Sequence, residues 1–223
     1  MTRYMIHGCG KRINYINKYL MESMYEQGLK VNDILLITDV SNKGNLQSCI
    51  ESYNWIANNC DESDYIWHLQ DDVILSSDFV LRTRDLDNSD YPVMCGFSSC
   101  YDCYEEDNKE YTNPKCMWYS FPCMRIQNWV IKKFLEWYKK SQEKLSVYIK
   151  ENKYDDTIFK QFLEEEYPDM KIKLIIPNLV DHVDYLIGGS TVNPARVIKV
   201  RSRYWDENNL VDELERKLRN ACS

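Results

Sequence analysis

Three times before residue 90, a short apolar run gives way to a stretch with helical spacing. That alternation restricts the chain to an α/β architecture, with a mostly parallel sheet, right-handed crossovers and helices on its faces. RYMIHGCG (3–10) reads as the first strand, ending in a glycine-bearing turn. From Arg12 to Gln27, Ile13, Ile16, Leu20 and Met24 recur at helical spacing and Gly28 supplies the stop. NDILLITDV (32–40) is the second strand, and after SNKGN a helix runs through Leu46, Ile50, Tyr53 and Ile56. Tyr65, Ile66, Trp67 and Leu69 mark the third strand, followed by a helix over SSDFVLRTRDL with Ser77 or Asp78 as its N-cap.

Further along, YPVMCGFSS (91–99) reads as a strand and 101–115 as a polar loop without periodicity. Two helices follow, over NWVIKKFLEWYKKSQEKLSVYIKEN and YDDTIFKQFLEEEYP. KIKLIIPNLVDHV (171–183) contains a strand stopped by Pro177. A single domain over 1–205 is expected, with 206–223 forming a charged amphipathic helix that packs back on the body or mediates self-association.

A net charge of −7 argues against non-specific attraction to a phosphate backbone. A local basic cluster, Arg196, Lys199, Arg201 and Arg203, stands out against it; this is a solvated face, a partner for a leaving diphosphate, or an approach to nucleic acid. No apolar run approaches a membrane span, and the N-terminal apolar core is too short for a signal peptide. A cytoplasmic protein with reduced thiols is expected. Nine cysteines include Cys100 and Cys103 at metal-ligand spacing. Structural zinc on Cys100, Cys103, Cys116 and Cys123 is one reading, and isolated buried thiols are the favoured one.

The stretch YIWHLQDDVIL poses a specific problem, because Asp71 and Asp72 stand together where an apolar strand runs out. Two adjacent buried carboxylates require a cation. In an open parallel sheet that position is the ligand-binding edge, and adjacent oxygen ligands suit Mg²⁺ or Mn²⁺ shared with substrate phosphates. A solvated strand end is the structural alternative.

LQDDVIL resembles the DxD-type motif of metal-dependent glycosyltransferases with the GT-A fold, a Rossmann-like sheet flanked by helices. PNLVDH, followed by Gly188, Gly189 and Ser190, resembles the late segment of the same family, and KYDDTIF stands where that family places its catalytic base. The resemblance implies that Asp72 and His182 ligate the metal, with Asp71 nearer the ribose or a bound water. It implies that Ser190 lies against the donor phosphates, and that His7, Arg12 and Asp39 border the nucleotide. Asp156, in preference to Asp155, would take the acceptor proton in an inverting transfer; a retaining enzyme would need no such base, and both residues would then be acids at a helix start. Trp118 and Tyr119 fall where the family builds its acceptor site and can stack on a sugar or a base, whereas Trp129 reads as core.

A UDP-sugar is the favoured donor; a glycan, a modified nucleobase, a lipid-linked or a protein acceptor are equally open. The small, Asn- and Tyr-rich chain suits a compact enzyme of viral or phage type, acting in the host cytoplasm. Two rival readings remain. A nucleotidyltransferase would use a similar sheet and metal, although HGCGKR is a poor substitute for its phosphate loop. A non-catalytic protein built around a zinc site is the other.

Overall fold

The computed structural model describes residues 2–41, 43–98, 111–114, 121–151, 155–189, 201–202 and 205–221. Its frame is a seven-stranded sheet in the order β2-β1-β3-β7-β5-β8-β6. The strands are β1 (Thr2–Cys9), β2 (Ile34–Asp39), β3 (Tyr65–Gln70), β5 (Val93–Cys95), β6 (Tyr111–Thr112), β7 (Cys123–Gln127) and β8 (Ile172–Leu174). A separate two-stranded sheet pairs β4 (Val73–Leu75) with β9 (Val180–His182).

The sheet is mixed, which corrects the expectation of a mostly parallel one. β1–β2, β1–β3 and β5–β8 are parallel, whereas β3–β7, β5–β7 and β6–β8 are antiparallel. Two strands run in reverse: β6 at the edge, and β7, which enters between β3 and β5. The centre of β7 is Arg125, fully buried, with its guanidinium 3.9 Å over the Tyr65 ring. Arg125 Nη2 donates to the carbonyls of Ser89 and Tyr91 at 2.7 and 3.0 Å, and Nη1 donates to that of Leu86. A buried cation whose terminal nitrogens are held by backbone oxygens breaks the apolar pattern by which a strand is read.

Helices cover both faces: α1 (Ile13–Tyr15), α2 (Met21–Glu26), α3 (Asn45–Asn59), α4 (Phe79–Asp85), α5 (Asn128–Lys140), α6 (Ser146–Glu151), α7 (Asp155–Glu166) and α8 (Asn208–Ala221). The single helix expected over 12–27 is broken. A 3₁₀ turn (Gly10–Arg12) leads into α1, and a π turn (Ile16–Leu20) separates α1 from α2. Such π turns recur beside functional sites.

Side-chain alternation along the central strands builds two cores. Tyr4, Ile6, Trp67 and Leu69 pack with Phe79 on one face. Met5 and Ile66 pack with Tyr53, Phe134 and Phe159 on the other. Val211 and Leu214 of α8 are buried in the first core, so the charged C-terminal helix lays its apolar stripe on the body. Among the described residues, no helix is long and apolar enough to cross a membrane.

Phe134 lies at the centre of the second core, with ring centroids 5.9 Å from Tyr53, 5.1 Å from Phe159 and 5.5 Å from Phe162. Phe134→Ala should lower the unfolding free energy by about 3–5 kcal/mol, read from a urea transition. Trp55 on α3 is 42% exposed, and Trp55→Ala should stay within about 0.5 kcal/mol of wild type. Equal losses in the two variants would contradict this layering.

Candidate functional site

The parallel register of β1, β2 and β3 brings their carboxyl ends to one edge. Cys9 lies beside Asp39, and His7 beside Gln70. The turns that follow deliver Arg12 from β1 and the acidic pair from β3 to the same place. Gly8 makes the approach possible: a Cβ there would stand 2.9 Å from Asp71 Cβ and 2.7 Å from Ile16 Cδ1. With hydrogen in its place, the Cys9 N–H donates to Asp71 Oδ2 at 2.7 Å.

Arg12 closes the arrangement. Its Nη1 lies 2.7 Å from Asp71 Oδ1 and 2.6 Å from Asp72 Oδ2. Nη2 donates to the Gly189 carbonyl at 2.7 Å. Gly189 has φ +78°, a conformation that favours glycine.

His182 is brought in by the small sheet, in which Val73 pairs with His182 across β4 and β9. The Val183 N–H donates to the Asp72 carbonyl at 2.8 Å. His182 Nε2 then lies 3.2 Å from Asp72 Oδ2, and its Nδ1 3.5 Å from Asp184 Oδ1. Burial pushes the Asp72 carboxyl up, but the His182 and Arg12 charges outweigh it and hold the group well below the usual carboxylate range. Burial and the charge of Asp72 push Asp71 the other way, against the pull of Arg12.

The second acidic pair opens α7. Asp155 is 2% exposed and accepts from Asn45 Nδ2, at the start of α3, at 2.5 Å. Burial foremost, then the charge of Asp156, raises its carboxyl to about 8, and Asp72 adds to the shift. Asp156 is partly exposed, and its Oδ1 accepts the N–H of Thr157 at 2.6 Å.

The remaining candidates are placed less directly. Asp39 accepts the N–H groups of Lys43 and Gly44, both at 2.9 Å, and so shapes the turn from β2 into α3. His7 lies on the α3 face, with Nε2 3.0 Å from Ser48 Oγ, and burial lowers it to about 4. Ser190, Trp118 and Tyr119 lie outside the described residues, as do Cys100, Cys103 and Cys116. Cys123 is buried in the core, close enough to Gly96 that a Cβ there would meet its sulfur at 2.6 Å. From the basic cluster, Arg201 is ion-paired to Asp181; Arg196, Lys199 and Arg203 lie outside the described residues.

Asp184, Asn45 and Gly8 are site residues that sequence reasoning missed, whereas Gly189 stands in the Gly-Gly-Ser turn that the sequence singles out. Of the three, only Asp184 left a signal, standing two positions after His182.

Among the described residues, no group of three or more His, Cys, Asp or Glu side chains is arranged to hold a metal. One oxygen suits a cation nonetheless: Asp72 Oδ1 is buried and without a hydrogen-bond partner among the described residues. With His182 beside it, the donor set fits a hard divalent ion held by two protein ligands, the rest of its shell coming from water and phosphate. A carboxylate against the far nitrogen of a ligating imidazole, as Asp184 lies here, is a common orienting contact.

No protein-family model matches the chain, and no curated protein matches it. Two crystal structures of the glycosyltransferase GlyE from Streptococcus pneumoniae TIGR4, one of them the apo form, align at 14% identity with TM-scores of 0.38 and 0.39. The alignments cover 78% and 75% of this chain but 45% and 44% of GlyE, so the chain spans less than half of that protein's length. A likeness this distant carries no argument, and the functional reading rests on the residues themselves.

Burial makes the stability contribution of Asp155 depend on pH. Its folded value of about 8 lies above an unfolded value of about 3.9. Between the two, the folded state keeps a proton that the unfolded chain has released, so stability falls as pH rises across that window. Asp155→Asn removes this dependence. Relative to wild type, the variant should gain stability between pH 5 and pH 8.5, seen as converging or crossing unfolding midpoints. Parallel pH profiles would show that Asp155 is not held protonated.

Proposed function

We propose that this chain is a glycosyltransferase that moves a sugar from a nucleotide-sugar donor, a UDP-sugar in the favoured case, to an acceptor hydroxyl with inversion. The observation that carries the reading is the convergence of Asp72 and His182 at one sheet edge, 3.2 Å apart, beside Asp72 Oδ1, which has no hydrogen-bond partner among the described residues. Asp72 and His182 would hold Mn²⁺ or Mg²⁺, and the bound ion would offset the charge of the departing nucleoside diphosphate.

The chain's own residues divide the remaining work. Asp156, reachable from solvent, accepts the proton of the acceptor hydroxyl as its oxygen bonds to the anomeric carbon. The bond from that carbon to the donor phosphate breaks, and its electron pair leaves with the diphosphate. Asp155, shut in with Asn45, fixes the start of α7 and with it the position of Asp156. Arg12 supplies a guanidinium suited to phosphate. In this reading His7 and Asp39 are assigned to nucleotide binding, Ser190 to the donor phosphates, and Trp118 and Tyr119 to the acceptor. A glycan or a modified nucleobase is the acceptor class.

The test is turnover with a panel of UDP-, GDP-, dTDP- and CMP-sugars and Mn²⁺, with the released nucleotide identified by chromatography. Asp72→Asn should cut turnover at least about 100-fold while circular dichroism shows a folded protein, since Asp71 still pairs with Arg12. Asp156→Asn should do the same with donor binding retained. Full activity in Asp72→Asn would remove the metal assignment, and pyrophosphate as product would favour nucleotidyl transfer.

A further inference from the structure

The acidic pair already carries a cation, because the guanidinium of Arg12 lies within 2.7 Å of both carboxylates and is 4% exposed. Asp71 has no oxygen to spare: Oδ1 faces Arg12 and Oδ2 accepts the Cys9 N–H. Asp72 Oδ2 is shared by Arg12 and His182. Only Asp72 Oδ1 is left without a partner among the described residues. A divalent ion arriving there alone meets a fixed positive charge across one carboxylate, in a site that screens little. It also finds too few protein ligands to complete its shell.

A diphosphate changes both conditions. Its oxygens supply the missing ligands, and two of them offer the planar guanidinium a bidentate partner in place of a shared carboxylate oxygen. We propose that Arg12 is a displaceable counterion that makes divalent-cation binding at Asp72 and His182 conditional on a diphosphate. The inference rests on the donor-site reading above and adds an order of events to it. Without donor, Arg12 holds the acidic pair neutralised and the site rejects free metal. With donor, Arg12 turns to the phosphates and Asp72 is released to the ion. The same transfer releases the Gly189 carbonyl, which holds the second nitrogen of Arg12 at 2.7 Å.

The test is Mn²⁺ binding to the full chain without nucleotide, followed by the electron paramagnetic resonance signal of the free ion. Arg12→Met should bind Mn²⁺ at least ten-fold more tightly than wild type; equal or weaker affinity overturns the proposal. If Arg12→Met unfolds in EDTA, restoration of its fold by Mn²⁺ is the expected result, and failure to restore it overturns the proposal. In wild type, equilibrium dialysis of UDP should show binding that rises at least ten-fold with Mn²⁺. UDP binding indifferent to Mn²⁺ would sink the coupling and leave the donor site standing. Absence of binding by UDP, GDP, dTDP and CMP alike would sink both readings.

Discussion

One guanidinium between two carboxylates holds the candidate site together. Arg12 is separated from Asp71 by 59 residues in sequence, and its two ion pairs join the turn after β1 to the turn after β3. Removing one partner from a buried pair of this kind costs about 3–5 kcal/mol, because the other charge is left without compensation. The surrounding geometry serves the contact. Gly8 makes room for Asp71, the Cys9 N–H fixes one of its oxygens, and the Gly189 carbonyl holds the far nitrogen of Arg12. A continuous helix does not begin at Arg12; a 3₁₀ turn delivers the side chain, and a π turn follows within a few residues.

The small sheet of β4 and β9 gives the site its second half. By pairing Val73 with His182, it sets an imidazole beside a carboxylate that stands 110 positions earlier in the chain. α3 and α7 bring in the third element through Asn45 and Asp155. Three segments far apart in sequence thus supply a carboxylate pair, an imidazole and a raised carboxyl. Asp72 and Asp155 shift in opposite directions: despite its burial, the cationic neighbours of Asp72 keep it ionised, while burial keeps the proton on Asp155, which accepts from Asn45 at the start of α7. A surface cluster of acids would not show this opposition, since solvent would screen the difference.

Much of this frame is legible in the sequence. The strand–helix alternation gives β1, β2 and β3 with their crossovers, and the start of α7 at Asp155 follows from the acidic residues that open it. The position of Asp71 and Asp72 at a strand's end is equally plain from YIWHLQDD. β7 is not legible, because Arg125 in its centre reads as a surface residue until its partners, the carbonyls of the turn before β5, are known. The division of 171–183 into β8 and β9 is hidden for a related reason: an apolar run carries no mark of which sheet each half joins. The answer to what Asp71 and Asp72 hold was equally out of reach, since Arg12 looks like any charge at a helix start and only the fold shows its partners.

The most direct measurement is thermal unfolding in the presence of UDP, GDP, dTDP and CMP, each with Mn²⁺, with Mg²⁺ and with EDTA. A ligand that binds only the folded state raises the midpoint by linkage, by an amount set by its concentration over its dissociation constant. A metal-dependent diphosphate site at Asp72 gives a shift for one nucleotide that disappears in EDTA. No shift for any nucleotide under any of these conditions would contradict it, and Arg12 would then be the permanent and sufficient partner of the acidic pair.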